Sequence, residues 1–194
     1  MFLSMSNTMP EYQIVSELRS LVRSGFYTKQ ELLDMFCNEI CESCNVVPED
    51  VSTIIDSDME SIKAEKTTWP AVTDCDRLDL AFSVLNSVGM ISLQNAGCTQ
   101  SDAYGDIQDL YNKHPNQDSV IGYCFYHRQD LERAVRGMGL YVAFGPMDAK
   151  LEDTEGPKIG EVIRETLEKQ GLEVEWDGTF NTRMLLPTIT WKKR

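Results

Sequence analysis

Val120-Ile121-Gly122-Tyr123-Cys124-Phe125-Tyr126 and, further on, Leu140-Tyr141-Val142-Ala143-Phe144 are the two stretches that decide the fold. Both are short, nearly continuous apolar runs rich in aromatic and β-branched residues, the pattern of central strands covered on both faces. Between them, Gln129 to Arg136 leaves room for about two helical turns. On the N-terminal side, Leu78, Ala81, Phe82, Leu85 and Val88 repeat at helical spacing up to Gly89. Met90 to Leu93 then reads as a strand, and Ser101 as the cap of a short helix carrying Tyr104, Ile107, Leu110 and Tyr111. On the C-terminal side, Gly156-Pro157 opens a helix with Ile159, Val162, Ile163 and Leu167, closed by Gly171. Leu172 to Trp176 alternates apolar and acidic residues, Asp177-Gly178 is a two-residue hairpin signal, and Met184 to Trp191 returns as the partner. Pro187 cannot donate to a ladder, so the last strand reads as an edge.

Residues 8–66 read as helices only. Thr8 to Glu11 is a capping box ahead of Ile14, Val15, Leu18, Leu21 and Val22, and Gly25 stops that helix. Thr28 to Glu31 is a second box, followed by Leu32, Leu33, Phe36, Cys37, Ile40, Cys41 and Cys44 on one face. Pro48 suits the first turn of a third helix with the stripe Val51, Ile54, Ile55, Met59 and Ile62. Trp69-Pro70 marks the boundary, because proline forces the residue before it into extended geometry. The expected fold class is therefore α+β: a mixed sheet of about five strands with flanking helices and a C-terminal antiparallel hairpin over 69–194. A small acidic three-helix domain over 1–68 precedes it. A mainly parallel α/β sheet is the alternative, since each linker but the last holds a helix.

The chain has 194 residues and a net charge of −13, with hydrophobic residues at 42% and charged residues at 25%. Those proportions belong to a globular chain. The negative balance argues against nucleic acid and anionic membranes as main partners. Residues 1–72 hold 5 basic and 12 acidic side chains, so a basic protein partner is expected at the helical segment. No apolar run approaches the length of a membrane span, and Met1 to Asn7 lacks the basic start and apolar stretch of a signal peptide. The six cysteines sit in apolar periodic segments and read as free buried thiols in a cytoplasmic protein.

From about Trp69 to Arg194 the sequence resembles an uncharacterised bacterial family of unknown function. The matching residues are Thr73-Asp74, Arg77-Leu78 and Ala81-Phe82, then Gly122 with Phe125 to Asp130. Leu140 to Gly145, Val174 to Gly178 and Trp191 complete the set. The resemblance leaves residues 1–66 outside and implies no activity. Members often hold a cysteine-rich stretch after the first strand; here Gln94 to Gln100 keeps only Cys98.

Cys37-x3-Cys41-x2-Cys44 has the spacing of the thiolates that hold an iron–sulfur cluster in radical S-adenosylmethionine enzymes. Here the three continue the stripe of Leu33, Phe36 and Ile40, which favours core packing. No metal and no cofactor is expected. Asp56, Asp58 and Glu60 lack the glycine and terminal glutamate of a calcium loop and read as a solvated helix face. Gly137-Met138-Gly139 precedes a strand and lacks the third glycine of a dinucleotide site, and no phosphate loop, His-Glu-x-x-His or Gly-x-Ser-x-Gly is present. The leading expectation is a non-catalytic interaction module. The alternative is a small-molecule-binding or thiol-dependent enzyme with a pocket at the strand ends. It would use Cys98 or His127 as the reactive group, with Gln129, Asp130 and Trp176 nearby. The bland reading of His127 is a cap for the helix that follows. His114, before Pro115, reads as an exposed turn residue.

Overall fold

The structure, a computed structural model, describes residues 11–36 and 48–194. The chain divides into two compact units between Trp69 and Pro70. In the first, α1 (Glu11–Ser24), α2 (Lys29–Asp34) and α3 (Pro48–Lys66) share one core of Ile14, Leu18, Leu21, Leu32, Phe36, Val51, Ile55 and Ile62. Gly25, at φ 76°, terminates α1 in the left-handed conformation that costs glycine nothing. The Thr28 hydroxyl accepts from the Glu31 N–H while the Glu31 carboxylate accepts from the Thr28 N–H at 2.7 Å. Asp56 pairs with Lys29 at 2.6 Å and Asp58 faces Arg19 at 3.7 Å, so the acidic stretch is a helix face with ion pairs. The Thr8 box and the cysteines at 37, 41 and 44 lie outside the described residues.

The second unit runs α4 (Asp74–Ser87), β1 (Met90–Leu93), α5 (Gln100–Lys113), β2 (Gly122–Phe125), α6 (Arg128–Val135), β3 (Leu140–Gly145), α7 (Glu152–Lys169) and β4 (Met184–Leu186). The sheet order is β1-β2-β3-β4. β1 and β2 are parallel, joined by the crossover helix α5, and the remaining pairs are antiparallel. The fold is α+β with a mixed sheet, and the mainly parallel alternative is set aside: α6, only 8 residues long, turns the chain back instead of carrying it across.

Among the described residues four strands form where about five were expected. Leu172 to Trp176 pairs with the returning segment, but through a single antiparallel bridge, Glu175 to Leu185, with bonds of 2.8 and 2.9 Å. Pro187 ends β4 after Leu186, leaving the partner little ladder to match. The connection is no two-residue turn either. The Asp177 carboxylate accepts from the Thr179 N–H and from the Thr179 and Thr182 hydroxyls, which shapes a longer loop. Two helix starts also differ from expectation. Thr99, not Ser101, caps α5, in a box with Asp102. α7 begins at Glu152, a turn before Gly156-Pro157, because Glu152, Asp153 and Glu155 favour the positive end of the helix. Val88 and Leu110, placed on apolar stripes above, are exposed at 50% and 43%.

Strand parity sorts the sheet into two faces. Gly122, Cys124, Val142, Phe144, Met184 and Leu186 lie toward α4 and α7 and are buried. Tyr123, Phe125, Tyr141, Ala143 and Gly145 lie on the other face, where Ala103 and Ile107 of α5 cover Ile91, Tyr123 and Phe125. Both sheet edges are closed. The Asn86 amide donates to the Ser92 carbonyl at 3.2 Å and accepts from the Ser92 N–H at 2.8 Å, standing in for a neighbouring strand on β1. The Glu175 bridge covers β4. No described helix is long and apolar enough to cross a membrane.

Candidate functional site

The second face of the sheet is covered unevenly, and this decides where a site can sit. Beyond Phe125, β2 ends and Tyr126-His127 leads into α6. His127 is the N-cap, with Nδ1 accepting from the Asp130 N–H at 3.3 Å and Nε2 standing 3.1 Å from the Asp130 carboxylate. The two are only 5% and 4% exposed, so their charges cannot lean on water. Arg183, just before β4, reaches both Asp130 oxygens through Nη1 at 3.0 and 3.1 Å. Its guanidinium lies 4.7 Å from the centroid of the Tyr141 ring, and that of Arg133 from α6 lies 5.0 Å away. Burial pushes the His127 imidazole below its ordinary value, against the pull of Asp130. Burial likewise pushes the Asp130 carboxyl up, against the opposing pull of Arg183 and His127. The imidazole and the carboxylate are satisfied from within the trio.

Next to Arg183 a cleft of about 270 Å³ opens over Ala143, between Gln100 and Tyr104 of α5 and the loop residues Phe180 to Thr182. Phe180, which lines it, packs close against β3. A Cβ at Gly145 would come within 2.7 Å of the Tyr123 hydroxyl and 2.9 Å of the Phe180 ring. Tyr104, which lines the cleft, meets the buried Tyr123 and Phe125 edge to face, with centroids 5.7 and 5.1 Å apart, in one aromatic cluster. The Tyr123 hydroxyl, held in this cluster and hydrogen-bonded to Tyr104, titrates well above the ordinary tyrosine value, chiefly through burial.

The residues expected at the strand ends are only partly brought together. His127 and Asp130 touch. Cys98 is exposed in the loop after β1, and that loop is tied to the start of α6 by the Arg128 N–H donating to the Gly97 carbonyl at 3.2 Å. No hydrogen bond joins Cys98 to His127, whose ring nitrogens both face Asp130. Cys98 is therefore not one of the buried thiols expected. Cys75 and Cys124 are, and burial pushes them up to about 11 and about 12. Gln129 is exposed. Trp176 belongs elsewhere: its indole packs on Gly160 of α7 and meets Phe144 edge to face at 5.5 Å, with Nε1 donating to the Thr179 carbonyl at 2.8 Å. It also borders a more open groove of about 480 Å³ beside Lys158, Glu161 and Glu165. The His114 ring bonds to Asn116 within its own turn, and its backbone N–H donates to the Tyr111 carbonyl at the end of α5.

Arg183 is the residue that sequence reasoning missed. Its parity opposite Met184 and Leu186 marks it as facing away from the core, but only the β3–β4 register brings it to Ala143 and Asp130. Among the described residues no three His, Cys, Asp or Glu side chains converge to hold a metal. No curated protein and no solved structure matches the chain. One family model does match, over residues 8–194, so the resemblance carried by the motifs from Trp69 onward extends back through the helical unit: the chain belongs to the family described as Domain of unknown function (DUF6891).

Proposed function

We propose that the protein is a non-catalytic interaction module, with the cleft over Ala143 as its binding face. One observation carries this reading: the acid–base groups beside the cleft are consumed by one another. Nδ1 of His127 caps α6, Nε2 faces Asp130, and Asp130 is held by Arg183. A general base needs a nitrogen free to take a proton from substrate or thiol, and none is offered here. The three described thiols are free, which suits the reducing cytoplasm. At the acidic helical unit a basic protein partner is the expectation, with retention that falls as salt rises.

The competing reading, a thiol enzyme using Cys98 and His127, makes a different forecast for thiol chemistry. His127→Asn keeps a side chain suited to the N-cap and removes the imidazole. Labelling of Cys98 in the native protein by a soluble alkylating agent is expected to proceed at the same rate in both forms. A drop of about tenfold in the variant would show that the imidazole activates the thiol and would overturn the proposal.

A further inference from the structure

Arg183 leaves three of its five N–H donors unused. Guanidinium presents five donors in a planar fork. Both bonds to Asp130 come from Nη1, and among the described residues Nε and Nη2 meet no acceptor. The side chain is 35% exposed and is the one charged group lining the cleft. We infer that the cleft binds a small monocarboxylate joined to an apolar or aromatic body, with the Nε–Nη2 edge of Arg183 as its anchor.

The size, charge and wall chemistry agree on this class. A volume of about 270 Å³ lies just under the range of about 300–1,000 Å³ typical of drug-sized ligand sites, so the occupant is small. The Nε–Nη2 edge matches a carboxylate with two parallel bonds. Asp130 already shares the arginine's charge, and the lining holds no second cation for a dianion. Tyr104 and Phe180 give an apolar body something to lie against, and Gln100, Asn181 and Thr182 bring polar groups to the lining. The chain's net −13 opposes an anion only at long range, which salt screens beyond about 8 Å under physiological conditions.

This inference rests on the cleft being the binding face, and its test is separate from the thiol experiment above. The full chain, labelled with ¹⁵N, is titrated with 3-phenylpropionate and with its neutral amide, 3-phenylpropanamide. The carboxylate is expected to shift the amides of Ala143, Thr182 and Arg183 with Kd about 1 mM, the scale of a fragment-sized ligand. The neutral amide is expected to bind about tenfold more weakly, having lost the charge-assisted pair. Arg183→Lys keeps a cation against Asp130 but deletes the free edge, so the preference for the carboxylate should disappear while the spectrum stays folded. Equal affinity for the two ligands overturns the inference, as does no binding by either, or a preference that survives in Arg183→Lys. A peptide ending in phenylalanine that bound about tenfold tighter than 3-phenylpropionate would move the ligand to a chain terminus and overturn the small-molecule assignment. If Cys98 labelling proved to depend on His127 while the carboxylate preference held, only the non-catalytic reading would fall.

Discussion

Replacing Gly160 of α7 with alanine tests the packing that positions the loop over the cleft, and Gly105 of α5 supplies the control. Both lie inside helices, where alanine is favoured over glycine by about 1 kcal/mol. At Gly105 a Cβ would meet nothing within 4 Å, so the full propensity gain should appear as added stability. At Gly160 the same Cβ would fall 2.5 and 2.6 Å from Trp176 ring carbons and 2.9 Å from Phe144. The indole cannot simply swing away, because Nε1 is bonded to Thr179 and the ring edge rests on Phe144. Overpacking of this kind costs about 1–3 kcal/mol, which exceeds the helix gain, so Gly160→Ala should destabilise by about 1 kcal/mol net. Urea melts followed by far-UV circular dichroism are expected to move in opposite directions for the two variants, with unchanged slopes. Thermal midpoints should move with them, by about 2–4 °C per kcal/mol. A Gly160→Ala protein as stable as Gly105→Ala would refute the packing argument.

Acidification should destabilise the wild type more than His127→Asn between about pH 7 and pH 5, the region of the free histidine value. The reason is that buried His127 stays unprotonated where the unfolded chain binds a proton, so stability is lost as the pH falls through its lowered folded value. Asp130, raised by burial, acts in the opposite sense, since its charge is relieved as the pH falls through its folded value; urea melts of both proteins across that range isolate the histidine slope. Asn86→Ala leaves the N–H and carbonyl of Ser92, itself 6% exposed, without these bonds, at a cost of about 1–3 kcal/mol. It also uncovers the β1 edge, so light scattering should show association that the wild type lacks. Arg183→Leu should cost about 3 kcal/mol, the low end for stranding a buried charge because the arginine is partly exposed. Adding Asp130→Asn should recover most of that loss, and a double variant as unstable as the single one would show that the stranded carboxylate is not the cause.

Local signals in the sequence carried well where they report local physics. The apolar runs at 120–126 and 140–144 are the two central strands, and Thr28 with Glu31 closes the capping box its spacing predicts. Gly25, Gly89 and Gly171 sit at φ 76°, 95° and 81° at helix ends. What was not legible depends on register. Arg183 and Asp130 are 53 residues apart in sequence, and nothing in either neighbourhood announces the other. The same holds for Gly156 and Gly160, one helical turn apart. Gly156-Pro157 reads as a helix start, yet the two glycines are the places where Phe180 and Trp176 lie against α7. That role appears only once the loop after Glu175 is in place. The hairpin was half legible: alternation at 172–176 is real in burial, but the Asp177 hydrogen bonds that lengthen the loop involve side chains that the Asp-Gly pattern does not weigh.

The buried carboxylate is best understood through what it orients. As a stabilising device a buried ion pair is poor, since desolvation consumes most of the Coulombic gain and apolar residues of similar volume do as well. Asp130 nevertheless sits 4% exposed beneath a guanidinium that is partly open to solvent. It takes Nη1 with both oxygens, while the Tyr141 ring supports the guanidinium at 4.7 Å. His127 in turn fixes Asp130 through its backbone N–H and its carboxylate. Two of the arginine's freedoms, its position and its tilt, are thus removed before any ligand arrives. A pre-oriented donor edge loses less entropy on binding than a mobile lysine would, and that gain falls at the cleft, not in the core. The cost of burying the charge and the geometry of the cleft are then two sides of one arrangement.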